Sequence, residues 1–353
     1  MHMADALLSP AIGGAMWAVS GAILVQACKK VKNEIDDSKV PLMGVMGAFI
    51  FAAQMINFTI PGTGSSGHIG GGLLLAIILG PHAAYLTIAS VLIIQALFFA
   101  DGGLLALGCN IFNLGIFPCF IAYPFIYKKI AGKNLTTTSM ATAAVFAAIV
   151  GLQLGAFSVV LETVFSGISS LPFGSFIIMM QPIHLGIGLV EGLVTAGVVA
   201  FIWNARPEIL EVTGENRLLG ELSIKQVLAG LVAATLITGG LFAWFASEHP
   251  DGLEWSIMKV TGSEEIEGTE DGIHHTLASV QESTAFLPDY DLKSEPAEES
   301  AAAHEGIEIA EEESTWGQAN IGTSISGLVG GILTLLLAGA FGYALKNKNN
   351  QLA

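Results

Sequence analysis

Nine stretches of this chain are apolar over lengths that suit or approach a membrane helix: residues 11–28, 42–58, 69–80, 82–99, 103–127, 139–165, 175–203, 226–246 and 322–345. A hydrocarbon core about 30 Å thick needs about 20 such residues per helix. Only 12% of the 353 residues are charged and 52% are hydrophobic, with a mean hydropathy of +0.65; ordinary soluble domains carry about 25% charge. These features predict an all-α, polytopic membrane helix bundle with about nine transmembrane helices. The first run has no basic residue before it and flows into a basic loop, so it reads as a retained span and not as a signal peptide. The third is short, and Gly80-Pro81 separates it from the fourth, because Pro lacks an amide donor and disfavours helix just before it. It is expected to start at mid-depth from a loop that dips into the protein.

Charge tests this count. Lys29, Lys30, Lys32 and Lys39 follow the first span, and Lys128, Lys129 and Lys133 the fifth. Arg206, Arg217 and Lys225 follow the seventh, and Lys346 and Lys348 the ninth. With the amino terminus outside, all of these fall on the cytoplasmic side, as the positive-inside bias requires. The chain then divides into a seven-span unit (1–205), a cytoplasmic linker (206–225), an eighth span (226–246), an external acidic loop (247–320), and a last span with a short cytoplasmic tail (321–353). The net charge of −16 belongs to that loop, which holds 19 acidic side chains against Lys259 and Lys293. No basic surface suggests nucleic acid as a partner; the partner implied by composition is the bilayer of a cell (inner) membrane. Residues 251–261 could fold locally, while the Glu-, Ala- and Ser-rich remainder is expected to be disordered.

The topology brings His2 and His68 to the same outer side. A free α-amine, the next amide nitrogen and the His2 imidazole can chelate one metal through fused rings. With His68, from the Gly-rich loop 61–72, they would make a four-nitrogen site of the kind that suits Ni(II) or Cu(II). On the residues alone, a loose terminal histidine and an ordinary loop histidine are the better account. His184 and Glu191 lie about two turns apart on one face of the seventh span. Ionisable groups at membrane depth usually face the bundle interior, so these two could line a metal path or orient the site, or simply hydrogen-bond between helices alongside Gln95, Gln153 and Gln181. His82, beside the Gly80-Pro81 break, suits capping or packing. His249, His274, His275 and His304 read as incidental histidines of a solvated segment, although His274-His275 with Asp271 could hold a divalent ion weakly. Cys28, Cys109 and Cys119 lack CxxC spacing and read as apolar packing residues.

No phosphate-binding loop of the GxxxxGK[ST] type and no HExxH occur, so neither an ATPase nor a zinc hydrolase is signalled and the chain does not read as an enzyme. Any ATP would be hydrolysed by a partner. The alternative is a self-sufficient secondary divalent-metal transporter or channel using His184 and Glu191.

The opening MHMADALLSP, Met1 to Pro10, resembles the MHIPDGFLSP start of the substrate-capture (M) component of energy-coupling-factor cobalt/nickel transporters. The stretches Gln95 to Gly103, Leu107 to Asn113 and His184 to Thr195 look like the same family. Pro250 to Ser256 (PDGLEWS) resembles the signature of its small two-span N component, so the chain looks like an M–N fusion. The resemblance implies that Co(II) or Ni(II) is a transported substrate and that no catalytic cofactor is needed. It implies a metal site built from Met1, His2 and His68, and as partners a transmembrane coupling protein and cytoplasmic ATPase subunits. Ala4 and Ala6 depart from the family's Pro and Gly.

Overall fold

A computed structural model describes residues 2–34, 39–132, 135–210, 222–264, 266, 272–292 and 319–346. All nine apolar segments are helical. They are α1 (Pro10–Glu34), α2 (Lys39–Gln54), α3 (Gly72–Leu79), α4 (Pro81–Phe98), α5 (Leu107–Ala131), α6 (Thr137–Ser166), α7 (Phe173–Ala205), α8 (Ile224–Gly240) and, at the end of the chain, α11 (Ile321–Leu345). Two helices outside the apolar runs, α9 (Gly252–Thr261) and α10 (Gly272–Thr284), lie between α8 and α11. Six of the nine are long and apolar enough to cross a membrane, and α2 and α8 are shorter apolar helices.

The eight-residue α3 is buried at every position. It ends at Gly80, whose φ is +81°, and α4 starts at Pro81, so the expected break is present. Helix α4 is the most enclosed of the long helices and α1 the least. Pro118 and Pro124 lie inside α5, where the ladder relaxes to π-type turns over Phe112–Tyr127; each proline removes one amide donor from an α-helical ladder. Helices α6 and α7 pack on each other, and α11 lies along α2 with α8 beside both. Large apolar side chains such as Phe146, Phe165, Ile178, Leu193 and Leu236 remain on the outside, as a bilayer environment demands.

The basic residues Lys29, Lys32, Lys39, Lys128, Arg206, Lys225 and Lys346 all occur at helix ends remote from the end that carries the chain's start, the α4–α5 loop and the α8–α11 connection. At that second end α2 leads into an antiparallel hairpin, β1 (Phe58–Ile60) and β2 (Ser65–Gly67), with Phe58 opposite Gly67 and Ile60 opposite Ser65.

The expectation of disorder after Thr261 does not hold for residues 272–292. Helix α10 buries His274 and partly buries Leu277 and Gln281, and Ala285 just past its end is buried as well, a three- and four-residue spacing that makes one face. His274 is no solvated histidine: its Nε2 lies 2.8 Å from the Leu8 carbonyl. Asp271, His304 and the tract 293–318 lie outside the described residues.

Candidate metal centre

Met3, Leu7 and Leu8 are fully buried and anchor the amino-terminal segment as an apolar plug. Polar contacts then fix its register. The Met3 amide donates to Asn110 Oδ1 at 2.8 Å, and the Gly103 amide donates to the Met3 carbonyl at 2.9 Å. Asp5 accepts from the Ala106 amide at 2.9 Å. A Cβ on Gly103 would overlap the Asp5 carboxylate, so glycine there lets the α4–α5 loop close on the terminal segment. His2 is thereby held only one residue from a fixed anchor.

The second imidazole arrives from the hairpin side. Gly70 and Gly71 donate their amides to Glu191 of α7 at 2.8 and 3.1 Å, one to each carboxylate oxygen. Gln54, at the end of α2, donates to the Gly70 carbonyl at 2.8 Å. The loop carrying His68 is thus clamped at both backbone groups of Gly70. As a result the His2 and His68 rings stack, with centroids 5.0 Å apart and planes 13° from parallel. Met1 lies outside the described residues.

Both rings have a defined hydrogen-bonding side. His68 Nδ1 lies 3.1 Å from the Ile69 carbonyl, and burial lowers its pKa to about 3. A neutral imidazole donating from Nδ1 carries its lone pair on Nε2, the atom left for a metal. His2 Nδ1 lies 2.8 Å from Asp101 Oδ1, while its Nε2 is buried without a hydrogen-bond partner. Burial works to raise the Asp101 pKa, but His2 and the Tyr290 hydroxyl outweigh it and hold it at about 2. Among the described residues no cluster of three or more His, Cys, Asp or Glu is arranged to hold a metal.

His184 is fully buried, with Nδ1 2.8 Å from the Met180 carbonyl and Nε2 without a partner. It lines one small cavity with His68 and with Asp251 and Gly252 of the PDGLE turn, and a Cβ on Gly252 would come within 3.0 Å of its ring. That motif has a local logic. Asp251 caps α9 by accepting from the Leu253 and Glu254 amides at 2.7 and 2.9 Å, and Glu254 accepts from the Asp251 amide at 2.9 Å, a reciprocal capping box. Leu253 is buried. Trp255 donates to the Thr63 carbonyl in the hairpin turn at 3.0 Å, and the Ser66 amide and hydroxyl reach the Pro250 and His249 carbonyls at 2.8 and 2.7 Å. The PDGLE segment therefore covers the strand that leads to His68. His82 packs edge-on against Phe120, away from the two stacked rings.

Several contributors escaped the sequence reading. Asp101 and Asn110 sit in stretches that stood out only as motif-like, Gln54 drew no notice, and Tyr290 pairs with Asp101 across 189 positions. Glu162 of α6 is also a buried carboxylate, accepting from Asn113 at 2.7 Å and from Ser158 at 3.2 Å.

Residues 2–209 match the family described as the cobalt uptake substrate-specific transmembrane region, CbiM, and residues 225–347 match the PDGLE domain. A putative fused nickel transport protein NikMN of Archaeoglobus fulgidus is 33% identical over 253 residues, spanning 70% of this chain and 77% of that one. The cobalt transport protein CbiM of Sorangium cellulosum is 31% identical over 60% of this chain and 95% of its own length. A crystal structure of a truncated transition metal transporter superposes with a TM-score of 0.51 at 32% identity, over 57% of this chain and 98% of the other. The chain therefore belongs to the CbiM family of cobalt and nickel transport proteins, as a membrane protein in which the M component is fused to a PDGLE-type N component.

Proposed function

We propose that this chain is the substrate-capture subunit of an ATP-driven energy-coupling-factor importer for Co(II) or Ni(II), with the ion held by the free amine of Met1, the His2 amide nitrogen and imidazole, and His68. The observation that carries this reading is the stacking of the His2 and His68 rings at 5.0 Å, in a chain whose start is locked by Asn110 and Gly103. With Met3 pinned this firmly, the His2 amide nitrogen and imidazole stand in fixed relation to His68. The missing phosphate loop supports a division of labour in which a transmembrane coupling protein and cytoplasmic ATPases supply the energy. The basic helix ends support an orientation with the amino terminus and residues 247–320 outside and the carboxyl terminus in the cytoplasm.

A fused chelate must use Nδ1 of His2, the atom that Asp101 engages. Loading therefore turns the ring about its Cβ–Cγ bond, so that Nδ1 joins the chelate and Nε2–H takes over the contact with Asp101. A metal-bound imidazole donating its other N–H to a carboxylate is a common arrangement that fixes the ring and raises its basicity. Glu191, with both oxygens given to loop amides, serves to orient His68 and not to carry protons along a path.

Equilibrium dialysis of the purified chain against Ni(II) and Co(II), with the amino terminus free or acetylated, tests the site. Binding is expected to require the free amine; native affinity and an unchanged visible spectrum after acetylation would remove this chelate. Reconstituted vesicles test the function, since uptake is expected only with the coupling and ATPase subunits present. Uptake by the chain alone, driven by a proton gradient, would make it a secondary carrier.

A further inference from the structure

We infer that Tyr290, contributed by the PDGLE-domain half of the chain, is a positioning residue for the metal site, setting His2 and His68 in register through one hydrogen-bond network. The inference rests on the proposed site and extends it to a residue in the other unit. The Tyr290 hydroxyl pairs with Asp101 Oδ2, while Asp101 Oδ1 receives His2 Nδ1 at 2.8 Å. Gln95 Nε2 donates to the Tyr290 oxygen at 3.2 Å and to Gln54 Oε1 at 2.9 Å. Gln54 in turn donates to the Gly70 carbonyl at 2.8 Å, and Gly70 donates to Glu191 at 2.8 Å. The direction is fixed at the centre. Because the Gln95 amide donates to the tyrosine oxygen, the hydroxyl proton points to Asp101. The chain of bonds therefore runs without a gap from the imidazole of His2 to the backbone two residues beyond His68, and Tyr290 is its crossing point. Buried hydrogen bonds in series polarise one another, so removing a middle member affects both ends.

The placement of Tyr290 is itself over-determined. Its ring stacks on Phe99 with centroids 5.0 Å apart and meets Phe51 edge-on at 6.1 Å. The Leu287 and Asp289 amides donate to the carbonyls of Phe98 and Phe99 at 3.2 and 2.9 Å. Asp289 and Tyr290 both adopt left-handed backbone conformations, with φ of 51° and 61°. Non-glycine residues keep such a conformation where the surroundings enforce it, commonly at functional sites. Ring packing alone would be satisfied by phenylalanine; the hydroxyl is the part that reaches Asp101.

The test uses the full-length chain with a native amino terminus, Ni(II) as the probe, and four variants: Tyr290→Phe, Asp101→Asn, the double variant and His2→Ala. Tyr290→Phe keeps the rings and is expected to weaken Ni(II) retention about threefold to tenfold, the size of one net hydrogen bond, and to shift the visible absorption of bound Ni(II). Asp101→Asn is expected to cost about 10- to 100-fold, as outer-shell partners of metal ligands usually do. The double variant is expected to be no worse than Asp101→Asn, because both act through one link. A Tyr290→Phe protein with wild-type Ni(II) affinity and spectrum would overturn the inference, and so would a tyrosine effect that persists unchanged on top of Asp101→Asn. His2→Ala separates the two levels. If it abolishes binding while Tyr290→Phe does nothing, the site stands and the positioning role falls; if His2→Ala binds normally, the site itself is wrong.

Discussion

The second unit touches the first in two places that are built differently. Within the bundle, α11 lies on α2 with the backbone of Gly330 against the Phe51 ring, and a Cβ on Gly44 would come within 2.9 Å of the Leu335 carbonyl. Gly327 of α11 faces Gly239 of α8 just as closely. Beyond the bundle the same two units meet through directed bonds: Ser66 with His249 and Pro250, Trp255 with Thr63, Gln281 with the Gly102 carbonyl at 2.7 Å, and Tyr290 with Asp101. Lipid offers no hydrophobic drive for helices to associate, so close approach of small residues supplies the attraction there. Beyond the bundle, water competes for exposed polar groups, and desolvated hydrogen bonds make the contact selective. Small-residue packing joins the two units within the bundle, and directed bonds join them beside the candidate metal site.

Variants that attack one kind of contact and spare the other sharpen this contrast. The largest effect is expected from inserting one Ala between Met1 and His2. Every side chain is kept, but the chelate rings change size and a further amide nitrogen becomes a donor, so Ni(II) binding should be weakened or re-routed as badly as in His2→Ala, with a changed visible spectrum. Equilibrium dialysis checks it. Next is Glu191→Ala, which strands the Gly70 and Gly71 amides. A buried unpaired donor costs about 1–3 kcal/mol, and metal retention should drop about tenfold or more, with Glu191→Gln intermediate since its amide offers one oxygen in place of two. Dissociation rates measured by competition with a chelator would rank the three proteins.

Gly330→Leu addresses the membrane contact. It drives a side chain into Phe51 and should cost about 1–3 kcal/mol of stability, read as a lower melting temperature in detergent, while the spectrum of bound Ni(II) stays native so long as Tyr290 remains docked. A spectrum lost along with the packing would show that the two contacts form one cooperative interface.

At neutral pH the least visible effect concerns acid, since it develops only as the pH falls. Burial lowers the His68 pKa from 6.5 to about 3, so the unfolded chain binds a proton there that the folded chain refuses. The metal-free protein should hold this contribution in full above pH 6.5 and lose it as the pH falls toward 3. His68→Gln should flatten the fall of melting temperature within that window.

Much of the architecture was legible as chain chemistry. Apolar runs of membrane length, the Gly80-Pro81 break and the placement of lysines and arginines at alternate ends specify nine helical segments, because backbone groups in lipid must pair within their own helix. The PDGLE capping box follows from Asp251 and Glu254 alone, three residues apart. The opening residues made a nitrogen chelate chemically available. Periodicity could not show that 272–292 docks, since the face it buries mixes His274 and Gln281 with Leu277 and Ala285 and carries no continuous apolar stripe. Nor could spacing reveal what brings His2 to His68: Asn110 and Gly103 gripping the terminal segment, Glu191 clamping Gly70, and Tyr290 reaching Asp101 from 189 residues away. A helix is decided by bonds between residues four apart, and its sequence is enough to announce it. A binding site is decided by side chains that meet only after loops from distant helices have closed on one another, and that meeting belongs to the tertiary structure.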